Sequence, residues 1–138
     1  IRRRGLPRAP LEAMIEGRYR ELDARPMELA EALDWARDTG GGAATVAALV
    51  LDLEADLAKA EAGGSGWAIG RLMGTAGLAG PEAERALADA LSAARGLSAG
   101  AFPAVAHATL ARRRAKGRRP GPLEARLRVF WAVLRGAV

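Results

Sequence analysis

Apolar positions recur along this chain at intervals of three and four residues, the spacing that lines up one face of an α-helix. Leu11, Met14, Ile15, Arg18 and Leu22 follow Pro10 in that register and predict a first helix from Pro10 through Leu22. After Pro26, Leu29, Ala32, Leu33 and Ala36 repeat the pattern, with Glu28 in the first turn where the helix dipole favours an acid. Gly40, Gly41 and Gly42 are expected to end or loosen that second helix. A third, from Ala43 to Ala60, puts Val46, Leu49, Val50, Leu53 and Leu57 on one face. Gly63, Gly64, Ser65 and Gly66 then read as the clearest linker.

A fourth helix from Trp67 to about Leu78 carries Gly70, Gly74 and Gly77. Each interior glycine costs roughly 1 kcal/mol relative to alanine, so this helix needs close packing and is expected to be central and buried. The fifth has the clearest ends: Pro81 at its start, Glu82 and Glu84 in the first turn, and Gly96 just past its end. Its apolar face is Ala83, Leu87, Ala90, Leu91 and Ala94. A sixth starts near Phe102 and Pro103 and runs through Leu110 into a basic end, broken by the stretch from Gly117 to Pro122. The last, from Leu123, shows Leu127, Phe130, Trp131 and Leu134 on one side. The pattern is a compact array of six or seven helices.

Composition strengthens the helical reading. Of 138 residues 33 are alanine, half are apolar and only six are aromatic. Alanine loses no side-chain entropy on entering a helix, and an all-β fold is excluded. The length suits one domain, read as a basic N-terminal arm at 1–9 and a single helical domain at 10–138. The absence of cysteine removes disulfide scaffolds, Cys-ligated zinc and thiol nucleophiles. No apolar h-region follows Arg2, Arg3 and Arg4, so no secretory signal is expected, and no uninterrupted apolar stretch reaches the ~18 residues of a spanning helix.

The net charge of +5 is unevenly distributed. Residues 1–10 carry four bases, residues 11–100 carry 15 acids against 8 bases, and residues 101–138 carry 9 bases against Glu124 alone. The run Arg112, Arg113, Arg114, Lys116, Arg118 and Arg119 is the loudest chemical signal. It suits a protein partner or an anionic lipid surface, or pairing with the acidic middle of the same fold. Without interleaved aromatics or a base-reading motif, nucleic acid is the weaker alternative. His107, among Val105, Ala106 and Ala108, reads as a partly buried helix residue rather than a general base, and no catalytic residue is assigned. The glycine clusters match no nucleotide-binding loop.

The segment Leu11-Glu12-Ala13-Met14-Ile15-Glu16-Gly17-Arg18-Tyr19-Arg20-Glu21-Leu22-Asp23-Ala24-Arg25-Pro26 resembles a stretch of squalene/phytoene synthase-like proteins that precedes a proline and a further helix. Further segments follow in the same order. Asp34 to Gly41 resembles the family's glycine helix break, Trp67 to Met73 the helix before its second acidic motif, and Phe102 to Ala106 with Leu110 to Arg114 its C-terminal helix. The closing segment is Leu127 to Trp131. The resemblance runs over roughly residues 10–135 and corresponds to the C-terminal part of a longer family member.

That resemblance implies an all-α isoprenoid-synthase-like fold lacking its N-terminal part. Active members condense prenyl diphosphates with Mg²⁺ held by carboxylates on facing helices. Here the second acidic motif is missing. Met73, Gly74, Thr75, Ala76 and Gly77 stand where ligands belong, and no acid occurs between Gly63 and Pro81. Arg18, Glu21, Asp23 and Arg71 are what the resemblance leaves of a polar substrate lining. The expectation is a degenerate, non-catalytic relative with no metal site and no cofactor, closest to the branch that acts in assembly of respiratory complex I. It would serve as an accessory component of a membrane-protein complex in the cytoplasm or mitochondrial matrix, peripheral to a membrane. The alternatives are a Mg²⁺-dependent prenyltransferase, whose metal ligands would lie outside this chain, and a basic nucleic-acid-binding protein.

Overall fold

The computed structural model describes residues 5–23 and 25–136; Arg2, Arg3 and Arg4 of the expected basic arm lie outside the described residues. Within that span every regular element is helical: α1 (Arg8–Arg20), α2 (Leu29–Ala36), α3 (Gly42–Leu51), α4 (Leu57–Thr75), α5 (Pro81–Ala93), α6 (Ala111–Ala115) and α7 (Pro122–Arg135). A π-helical turn, Arg37–Gly41, joins α2 to α3, and two 3₁₀ segments, Phe102–Ala104 and Ala106–Leu110, lead into α6.

The sequence linker does not exist. Gly63, Gly64, Ser65 and Gly66 lie in the middle of α4, the longest helix and the axis around which α2, α3, α5 and α6 pack. The glycines are there for contact, not for flexibility. A Cβ on Gly64 would strike the Gly40 carbonyl, and one on Gly63 would meet the Val105 side chain at 2.8 Å. Farther along, one on Gly70 would meet the Ala111 carbonyl oxygen at 2.6 Å, and one on Gly74 the carbonyl of Arg114. Bare backbone therefore lets four neighbours approach α4, and their packing offsets the helix-propensity cost. The expected fourth helix is the second half of α4 and ends at Thr75; it is buried at Ala68, Ile69 and Gly70, while Arg71 and Thr75 are exposed.

Gly40, Gly41 and Gly42 likewise do not stop the chain. The π-helical turn carries α2 directly into α3, with the Thr39 hydroxyl donating to the Trp35 carbonyl at 2.7 Å and Gly40 set against Gly64. The expected third helix instead splits at residues 52–56. Asp52 accepts from the Glu54 N–H at 3.0 Å, and Asp56 caps α4 by accepting from the Lys59 N–H at 3.2 Å. Short acidic side chains compete with the helix for backbone donors and favour its ends.

α5 follows its expectation, with Pro81 at its start between the positive-φ glycines Gly80 (φ 112°) and Gly96 (φ 72°), and Ala83, Leu87 and Leu91 buried. The sixth predicted helix is mostly 3₁₀. In that geometry residues three apart eclipse one another, and Phe102, Val105, Ala108 and Ala111 form an unbroken buried row at 1%, 0%, 1% and 0% exposure. α1 begins at Arg8, so Pro10 sits inside its first turn, where a missing N–H costs nothing.

Candidate functional site

α7 docks through small residues and turns its large ones outward. Ala132 is buried and Ala125 and Val129 are partly buried. Leu123 (71% exposed), Leu127, Phe130, Trp131 and Leu134 (61%) face solvent. At 3.6 residues per turn these five span roughly 100° of the helix, the width of a stripe that ordinarily faces a core. Arg126 flanks the stripe on one side and Arg128 and Arg135 on the other; the Arg135 guanidinium lies 5.6 Å from the Trp131 ring centre. A shallow groove beside the stripe is lined by Thr109, Leu127, Arg128, Trp131 and Arg135. The sequence predicted this stripe correctly as a face; the structure leaves it uncovered.

The basic run is divided by the turn that ends α6. Gly117 (φ 67°) donates to the Arg114 carbonyl at 2.9 Å and the Arg118 N–H reaches back to the Arg113 carbonyl at 3.0 Å, a Schellman closure. Arg113 turns to α7 and pairs with Glu124 at 2.9 Å, which also accepts from Arg128 at 3.0 Å. Arg114 turns to α4, its guanidinium 5.7 Å from the Trp67 ring centre. Arg112 and Lys116 line a cleft beside α5 with Glu84. Arg118 and Arg119 remain exposed.

Of the residues that the family resemblance singles out, Glu21, Asp23 and Arg71 border one cavity of about 240 Å³, with Trp35 and Leu72 also in its wall. Both acids are exposed, at the mouth rather than in the interior. Arg18 is absent from that wall: it bonds Glu21, lies 6.0 Å from the Trp35 ring centre, and lines a separate apolar groove with Met14, Ile15, Tyr19 and Leu22. That groove, about 650 Å³, is a second uncovered apolar surface, visible in the sequence only as the narrow face of the first helix.

His107 packs edge-on against Trp67, ring centres 5.3 Å apart, and burial holds its imidazole below the usual histidine range. The Ser98 hydroxyl and the Glu54 N–H hold the Asp52 carboxyl below its ordinary value. Among the described residues no three His, Asp or Glu side chains converge as a metal site would require, and no helix is long and apolar enough to cross a membrane.

The fold defines an all-α helical domain. Comparison of the chain with protein-family models, curated protein sequences and solved structures finds no match in any of the three.

Proposed function

We propose that this chain is a non-catalytic helical docking protein, an accessory or assembly component of a membrane-associated protein complex, with α7 as its contact element. The observation that carries this reading is the outward stripe of Leu123, Leu127, Phe130, Trp131 and Leu134 edged by arginines. Contiguous exposed apolar surface of this kind marks interaction sites, and Trp, Phe and Arg are the residues enriched where proteins bind. What supports kinship with degenerate squalene/phytoene synthase-like proteins is the collinear run of segments between residues 10 and 135. Assembly of a respiratory complex is the form the role takes on that kinship.

Co-sedimentation of the full chain with native membranes tests the reading. The wild-type chain is expected to pellet, and Leu127→Gln/Phe130→Gln to remain in the supernatant. Prior stripping of the membranes with protease is expected to abolish pelleting, because the partner is a protein; retention after stripping assigns the contact to lipid instead. Mg²⁺-dependent turnover of farnesyl or geranylgeranyl diphosphate by the chain alone would end the reading.

A further inference from the structure

Arg71, Arg114 and Arg119 come from separate parts of the sequence, yet all three line one pocket of about 300 Å³ between the C-terminal half of α4 and the turn after α6. Trp67 and Thr75 complete its wall, and no carboxylate lines it. Close approach of the two elements depends on Gly74, where any side chain would run into the Arg114 carbonyl. We infer that this pocket is an anion site for a terminal phosphate group, held by the guanidinium groups of Arg71, Arg114 and Arg119.

Three observations carry the inference. First, none of the three guanidinium groups makes an ion pair among the described residues, whereas nearby Arg113 and Arg128 share Glu124. Second, the Nε of Arg114 is buried with no hydrogen-bond partner, although its guanidinium is fixed over the Trp67 ring. With that Nε closed off inside the fold, the outer N–H groups of Arg114 are the ones an oxyanion in the pocket would meet. Third, three cationic residues share the wall of this pocket with no carboxylate among its lining residues, an arrangement an anion would relieve. The ends of α4 and α6 make the position tolerable for cations through their carbonyl dipoles but supply no full counter-charge.

The chemistry selects phosphate. A guanidinium presents parallel N–H groups that match two phosphate oxygens, and a terminal phosphate offers three oxygens and up to two charges to three such forks. The Thr75 hydroxyl is already committed to the Arg71 carbonyl at 2.8 Å, so the arginines carry the recognition. His107 packs edge-on against Trp67 and does not line the pocket. The ligand is a free phosphate or phosphomonoester, or the same group on a lipid. The inference stands apart from the role of α7.

The test is calorimetric titration of the full chain with inorganic phosphate. In parallel, vesicle binding compares phosphatidylcholine vesicles containing phosphatidic acid, a monoester, with vesicles containing phosphatidylglycerol, a diester, at matched surface charge. Arg71→Gln/Arg119→Gln is set against Arg85→Gln/Arg95→Gln, which removes the same charge elsewhere; circular dichroism checks that both fold. Saturable phosphate binding weakened at least about tenfold in the first pair and within about twofold in the second supports the site. A monoester preference on vesicles alone, lost only in the first pair, supports it with a lipid as the source. Equal weakening by both pairs, weakening by neither, or no binding and no monoester preference overturns it.

Discussion

Gly64, midway along α4, and Gly40, in the π-helical turn between α2 and α3, meet backbone to backbone with no room for a side chain on either. Replacing Gly64 with alanine drives a Cβ into the Gly40 carbonyl, and neither helix can yield without disturbing the rest of the α4 packing. The gain of roughly 1 kcal/mol in helix propensity is outweighed by overpacking. Gly64→Ala is expected to lower stability by at least about 2 kcal/mol, read from the urea midpoint at unchanged slope. Gly66→Ala is the contrast: its nearest obstacle is the tip of the Leu91 side chain at 3.1 Å, and its effect is expected to stay within about 1 kcal/mol.

The same pair shows what the sequence did and did not reveal. Helical periodicity identified α2, α5 and α7 and the second half of α4, because an apolar stripe is a local property of the chain. It misread Gly63 to Gly66, since a glycine that permits contact and one that permits bending have the same letters; only the position of Gly40 and Val105 in space decides between them. The split at Asp52 and the 3₁₀ row from Phe102 were hidden for a related reason: a cap and a three-residue repeat were overlaid on residues that also fit a continuous helix. For the site, the outward stripe on α7 was legible as a face, but its exposure was not. The meeting of Arg71 with Arg114 and Arg119 depends on α4 crossing α6 and has no sequence signature.

Trp35 is 2% exposed, and its indole N–H is buried without an acceptor. Phenylalanine would remove that orphan donor while retaining most of the ring packing against Ala68 and Ile69 in the same cluster. Trp35→Phe is therefore expected to cost less than about 1.5 kcal/mol, against about 3–5 kcal/mol for Trp35→Ala. Chemical denaturation of the two variants measures the difference; equal losses would show that a phenyl ring recovers none of the indole's packing.

His107 couples stability to pH. Burial lowers its pKa in the folded state below the ordinary value of the unfolded chain, so over that interval the unfolded state binds more protons. The neutral imidazole thus contributes stability above the unfolded value. That contribution is lost as pH falls toward and through the folded pKa, at pH values above those where carboxylates titrate. Urea midpoints taken from about pH 7.5 down to about pH 5 should decline, and His107→Gln should flatten the decline in that window. A decline of the same size in the variant would assign it to another group.

The two sides of α7 make opposite demands on a side chain. Leu127 and Phe130 are 50% and 56% exposed and belong to neither buried core cluster, and the Phe130 ring packs only edge-on against Trp131 of the same stripe (ring centres 6.1 Å apart), so Leu127→Gln/Phe130→Gln should alter stability by no more than about 0.5 kcal/mol per site while improving solubility. Ala132, 5% exposed and packed in the cluster with Phe102 and Val105, has no room for growth. Ala132→Leu should lower stability by about 1–3 kcal/mol through overpacking. Thermal or urea unfolding of both variants decides whether the apolar stripe is a surface for another molecule or part of this fold's own core. A large loss in the outward variant would place the stripe in the core and withdraw it from docking.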